Sequence, residues 1–307
     1  MPAENQSSET DTQATSPATA PYGGSGGAAA GGATGEAGAT PHSPSRIRTV
    51  HLRRFKDDGR RFAMLTAYDA QIASIFDEAG VEVLLVGDSA ANVMMGRTTT
   101  LPITVDEMLV FSRSVVNGVR RALVVADVPF GSYEASPQQA VATGVRFLKE
   151  AGVHAVKVEG DAAMAPHVRA MVAAGIPVMA HVGFTPQSEH ALGGYRVQGR
   201  GDAAARVLED ARAMQDAGAF CVLMEMVPSE VAAEVDAALE VPTIGIGAGG
   251  STTGQVLVWQ DMLGMTQGRV PRFVKRYADL RGVISEAATA FADDVRSGTF
   301  PAEEHGF

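Results

Sequence analysis

The feature that most constrains this chain is a repeated pair of small residues. Ala79-Gly80, Ala151-Gly152, Ala174-Gly175 and Ala217-Gly218 each follow a helical pattern and precede a short apolar run. A glycine in that place closes a helix in the left-handed conformation, and the apolar run after it reads as the next strand. Phe62–Thr66, Val83–Val86 and residues 123–126 are expected strands. Runs starting near His154, Val178 and Phe220 continue the series, and residues 241–246 supply a seventh. Residues 263–265 are the expected eighth.

Helix signals lie between these runs. Residues 71–79 place Ile72, Ile75, Phe76 and Ala79 on one face. Thr104 and Glu107 form a capping-box pattern, and Ser136, Pro137 and Gln139 form a second N-terminal signature. Strands alternating with helices imply parallel strands joined by right-handed crossovers. The count predicts an α/β fold, a (β/α)8 TIM barrel over residues 46–307. An open doubly wound sheet is the rival, and charged residues at so many strand ends favour the barrel.

Alternation along a strand puts every second side chain on one face. It groups Leu84, Val86 and Asp88; Leu123, Val125 and Asp127; Ala155, Lys157 and Glu159; and Cys221, Leu223 and Glu225. His181 ends the fifth strand, and Tyr68-Asp69 follow the first. In a barrel these ends converge on one mouth. Charges on the inward face of a strand need partners, a metal or a ligand, because unpaired burial costs several kcal/mol.

Clustered carboxylates raise one another's pKa unless a cation joins them. No Cys/His spacing suits zinc, so a hard, oxygen-liganded ion, Mg2+, is the expected partner. Asp88, Asp127 and Glu159 are the candidate metal residues, directly or through water. Lys157 offsets further negative charge and can hold an anionic substrate. Such a centre suits an α-keto acid, stabilising an enolate, with Glu225 as candidate general base. The competing roles are helix caps and salt bridges for the acids, and a simple pair with Glu159 for Lys157. His181 and Tyr68 are possible additional mouth residues, equally open to structural roles.

Residues 1 to about 45 are Ala, Gly, Ser, Thr, Pro and Glu with almost no large apolar side chain, and read as a disordered extension. They lack a signal-peptide apolar core, and no Lys or Arg precedes Arg46. A net charge of −10 argues against nucleic-acid and basic membrane-surface partners. Cys221 is the single cysteine, which suits a cytoplasmic location. No apolar run is long enough for a transmembrane helix. The glycines of 245–250 resemble a dinucleotide fingerprint, but after a barrel strand they suit a turn or an anion-binding loop better.

Several stretches together resemble one family, that of ketopantoate hydroxymethyltransferase. They are Thr66-Ala67-Tyr68-Asp69, Val86-Gly87-Asp88-Ser89, Ala126-Asp127-Val128-Pro129-Phe130, Val156-Lys157-Val158-Glu159-Gly160, His181-Val182-Gly183-Phe184-Thr185-Pro186-Gln187, residues 193–201, Glu225-Met226-Val227-Pro228 and residues 244–249. The resemblance implies a Mg2+-dependent barrel, usually a homodecamer, in pantothenate biosynthesis. Its expected reaction moves a hydroxymethyl group from 5,10-methylenetetrahydrofolate to 3-methyl-2-oxobutanoate. By motif it makes Asp88, Asp127 and Glu159 the metal residues, Asp88, Ser89, Asp127 and Lys157 the substrate contacts, and Glu225 the proton acceptor. Asp161, Glu189-His190 and the stretch Gly250-Ser251-Thr252-Thr253-Gly254 depart from the family pattern. Two other readings are a Mg2+-dependent carbon–carbon lyase for a different 2-oxo acid and a non-catalytic barrel scaffold. The acids retained at the strand ends weigh against the scaffold.

Overall fold

The computed structural model describes residues 46–307. The reading of residues 1–45 as a tail lies outside the described residues. The chain runs α1 (Thr49–Asp57), β1 (Phe62–Thr66), α2 (Ala70–Glu78), β2 (Val83–Val86), α3 (Ala90–Val93), α4 (Val105–Gly118) and β3 (Leu123–Asp127). It continues with α5 (Pro137–Arg146), β4 (Ala155–Glu159), α6 (Ala165–Ala173), β5 (Val178–Gly183), α7 (Glu189–Leu192), α8 (Ala204–Asp216) and β6 (Cys221–Glu225). The last elements are α9 (Ser229–Ala238), β7 (Thr243–Ile246), β8 (Gly254–Leu257), α10 (Trp259–Met262) and α11 (Leu280–Ser297). The strands close in chain order, β8 pairing with β1, and every pairing is parallel. The (β/α)8 barrel expected from the sequence is therefore the fold.

The local signals behave as the sequence implies. Thr104 and Glu107 cap α4 reciprocally, and Ser136 accepts the Gln139 N–H ahead of Pro137 at the start of α5. Gly80, Gly152, Gly175 and Gly218 all have positive φ. The eighth strand is the exception, since it forms at Gly254–Leu257 and not at residues 263–265. A Cβ at Gly254 would lie 2.6 Å from the Phe62 ring, so glycine opens this strand for want of space. Residues 247–253 join β7 to β8 with no helix, which hides the strand from a helix–strand rhythm. The glycines of that connection make a turn: Gly247 has φ +62°, and a Cβ there would meet Phe273 at 2.7 Å.

Two apolar layers hold the barrel. The outer one packs strand residues such as Leu84, Val86, Val124 and Val156 against the helices. The inner one fills the axis with Phe62, Met64, Val83, Leu85, Leu123, Val125, Ala155, Met179, Cys221, Leu223 and Ile244. Leu52 and Phe55 of α1 join this inner layer. Burying each large side chain contributes about 1.5–3 kcal/mol. Lys56 fastens α1 by donating to the Asp236 carbonyl at 2.5 Å, with the Asp236 carboxylate 3.2 Å away.

Inward positions change character along each strand. β3 passes from Leu123 and Val125 to Asp127, β5 from Met179 to His181, and β6 from Cys221 and Leu223 to Glu225. The apolar plug is at one end, and all the charge is at the carboxyl end.

Candidate active site

A cavity of about 360 Å³ opens at that end, lined by Asp88, Ser89, Asp127, Lys157, Glu159, His181 and Glu225, among others. Every candidate except Tyr68 thus borders one space. Tyr68 is buried, and its hydroxyl pairs with Ser89 Oγ at 2.8 Å, so it fixes a lining residue. Burial pushes its phenol pKa up and keeps it protonated.

Asp127, Lys157, Glu159, His181 and Glu225 reach the cavity by strand alternation, as the sequence implies. Asp88 does not. In β2 the inward residues are Val83 and Leu85, whereas Leu84 and Val86 face the helices. Asp88 enters the cavity because the strand ends at Val86 and the Gly87-Asp88 turn re-aims the chain. Gly87 must be small here, since a Cβ would lie 2.7 Å from Ser89 Oγ. The Asp88 N–H then donates to Asp127 Oδ2 at 3.0 Å and ties the two turns together.

Lys157 is the electrostatic centre. Its ammonium lies 3.1 Å from Asp127 Oδ1, 3.5 Å from Glu159 Oε1 and 3.1 Å from His181 Nδ1. Burial alone would discharge it, but Asp127, Glu159 and Asp88 together raise its pKa. Burial likewise opposes a charge on Glu159, yet Lys157, His181 and the Gln187 N–H together outweigh it and hold that carboxyl down. Asp88 goes the other way: burial, then Asp127 and Glu159, push it well above the carboxylate range. Asp127 is raised by burial and by Glu159, against Lys157.

Glu225 stands beside this cluster on the neighbouring strand, with Oε2 3.5 Å from His181 Nε2. Burial and the Glu159 charge push it up to about 8. His181 is held below its ordinary value by burial and by Lys157, and is neutral at pH 7. The chain bends sharply after Glu225, where Met226 takes φ +49°, the only positive φ of a non-glycine among the described residues. Such strain is concentrated at functional sites.

Two site residues carried no signal of their own in the sequence. Gln187 is buried; its amide nitrogen donates to Asp88 Oδ2 at 2.9 Å, and its backbone N–H donates to Glu159 Oε2 at 3.0 Å. Tyr133 is buried beside it, its hydroxyl 2.7 Å from Gln187 Oε1. Asp161, one of the departures from the family pattern, accepts the Ala163 N–H and caps a short turn.

Among the described residues, no three His, Cys, Asp or Glu side chains stand in a metal-holding arrangement. Glu159 has both oxygens engaged by Lys157, His181 and Gln187. The donor chemistry nevertheless fits a hard divalent cation. Two buried carboxylates, Asp88 and Asp127, meet at the cavity wall with raised pKa values. Asp127 Oδ1 is buried with an ion pair but no hydrogen bond.

Among the described residues, no helix is long and apolar enough to cross a membrane. Among solved structures the chain is similar to a phosphoenolpyruvate phosphomutase from Streptomyces platensis subsp. rosaceus. The TM-score is 0.56 at 16% identity, over 85% of this chain and 92% of that one. It is also similar to a phosphonopyruvate hydrolase in complex with oxalate and Mg2+, with TM-score 0.54 and 14% identity, over 84% and 93%. At such identities the likeness is one of fold. A curated relative, the 3-methyl-2-oxobutanoate hydroxymethyltransferase of Paenarthrobacter aurescens (strain TC1), is 65% identical over 96% of this chain and 98% of its own length. The protein of that name from Nocardioides sp. (strain ATCC BAA-499 / JS614) is 60% identical over 97% and 100%. The family model described as ketopantoate hydroxymethyltransferase matches residues 46–303, and the chain belongs to that family.

Proposed function

We propose that this enzyme transfers a hydroxymethyl group from 5,10-methylenetetrahydrofolate to 3-methyl-2-oxobutanoate, giving 2-dehydropantoate for pantothenate and coenzyme A biosynthesis. The observation that carries the reading is the division of the cavity. Next to a Lys-centred acid cluster stands Glu225, whose ion-pair contact is to His181 and not to Lys157, and whose pKa, raised to about 8 by burial and Glu159, suits a general base.

Asp88 and Asp127, with Glu159 through water, would hold Mg2+, which needs only one or two carboxylates and keeps several waters. When bound, the ion supplies Lewis-acid stabilisation of negative charge on the keto oxygen. Lys157 and Ser89 receive the substrate carboxylate, Lys157 as a fixed positive charge. Glu225 takes the C3 proton. His181, its Nε2 3.5 Å from Glu225 Oε2 and otherwise without a hydrogen bond among the described residues, lines the cavity beside that carboxyl. The carbanionic C3 then bonds to the one-carbon unit, water supplies the hydroxyl oxygen, and the carrier leaves as tetrahydrofolate.

The substrates are small molecules, and we place the protein in the cytoplasm, where the single buried Cys221 stays reduced. Self-association, up to a homodecamer, is supported by α11. None of its residues is buried, and Val283, Ile284, Phe291 and Val295 are exposed.

Proton NMR of 3-methyl-2-oxobutanoate in D2O with enzyme and Mg2+ tests the reading. Enzyme-dependent exchange at C3 that stops with chelator is expected. No exchange, with no 2-dehydropantoate after adding methylenetetrahydrofolate, would overturn it.

A further inference from the structure

Gln187 sits where three parts of the site meet. Its carboxamide nitrogen has two acceptors, Asp88 Oδ2 at 2.9 Å and the Val128 carbonyl at 3.0 Å. Its carboxamide oxygen has one partner, the Tyr133 hydroxyl at 2.7 Å. Its backbone N–H holds Glu159 Oε2 at 3.0 Å. The Glu159 N–H in turn donates to the Tyr133 hydroxyl at 3.1 Å. All of these groups are buried.

The amide can be oriented in only one way. Turned over, its oxygen would face the Asp88 carboxylate and the Val128 carbonyl, both acceptors. Its NH2 would then face Tyr133. Asp88 and the Val128 carbonyl therefore select the orientation, and the Tyr133 hydroxyl, 2.7 Å from Gln187 Oε1 and 3.1 Å from the Glu159 carbonyl, supports it. In this orientation Asp88 Oδ2 is pinned, and Oδ1 accepts no hydrogen bond among the described residues while Asp88 lines the cavity. The same residue fixes Glu159 through its backbone. A satisfied buried network of this kind fixes geometry strongly, since a polar group left unpaired away from water is costly.

We propose that Gln187 is a positioning residue, backed by Tyr133, that holds the Asp88 and Glu159 carboxylates in the arrangement that receives a divalent cation. The inference rests on the reading of those two acids as cation-holding residues. Outer groups that orient metal-holding side chains change metal affinity by about 10- to 100-fold when removed.

Titration calorimetry of the full-length chain with Mn2+ tests it, with thermal denaturation alongside to report folding. Gln187→Met keeps the length and removes all three side-chain hydrogen bonds. It should weaken Mn2+ binding about tenfold or more. Tyr133→Phe should weaken it less, by removing the hydroxyl that supports Gln187 Oε1 and the Glu159 backbone. A structural role alone would lower the melting temperature and leave Mn2+ affinity unmoved. Wild-type affinity in a folded Gln187→Met would overturn the proposal while leaving the cation reading intact. Should Gln187→Met not fold, unchanged affinity in Tyr133→Phe would overturn it equally. A wild-type protein that takes up no Mn2+ would overturn the cation reading itself, and this inference with it.

Discussion

The Lys157 ammonium lies 3.1 Å from the Asp127 carboxylate, with both side chains about 4% exposed. A buried ion pair adds little net stability, but removing one partner strands the other. Lys157→Met should therefore destabilise the protein by ~3–5 kcal/mol in urea unfolding with chelator present. A loss below about 1 kcal/mol would mean that water or a proton compensates Asp127 instead.

Glu225→Gln keeps the shape of the side chain and removes its basicity. C3 exchange and turnover should fall by about a hundred- to ten-thousand-fold, the usual contribution of a positioned base. Keto-acid binding, read by calorimetry with Mg2+, should hardly change. Near-normal turnover would move the base elsewhere.

His154 gives the fold a pH response far from the cavity. The Val124 N–H donates to its Nδ1 at 2.9 Å, and Arg46 Nη2 lies 2.5 Å from Nε2. Burial, then Arg46 and Arg48, push its pKa from 6.5 to about 4. Between these values the unfolded chain binds more protons than the folded one, so stability falls as pH drops through this window. Below pH 4 this group adds no further loss. In His154→Asn the slope of melting temperature against pH should flatten between 6.5 and 4. A slope matching that of wild type would assign the acid sensitivity to other groups.

Gly118 closes α4 where it crosses α2. A Cβ there would lie 2.2 Å from the Ala70 carbonyl oxygen, which is backbone and cannot swing away. Gly118→Ala should lower stability by ~1–3 kcal/mol, the usual effect of overpacking. An unchanged melting temperature would show that the two helices separate freely.

How legible was all this in the sequence? The barrel was, because helix-closing glycines and apolar runs are local signals. Alternation correctly placed Asp127, Lys157, Glu159 and Glu225, since each lies within a regular strand. It gave the wrong reason for Asp88, whose side chain is aimed by a turn that periodicity does not describe. The eighth strand was misplaced because its glycine answers to Phe62, far away in sequence. Gln187 and Tyr133 stayed silent for a different reason. A neutral amide and a phenol in irregular segments look ordinary until the fold sets them against Asp88 and Glu159.

The bend at Met226 shows how such a site ages under selection. A side chain at φ +49° costs about 1–2 kcal/mol that glycine would not. Yet Met226 walls the cavity beside Glu225, and glycine would leave that wall open and the neighbouring carboxylate less firmly held. A search for heat-tolerant variants would thus be drawn to Met226→Gly, and a search for faster ones away from it. Durability and chemistry compete at this one residue.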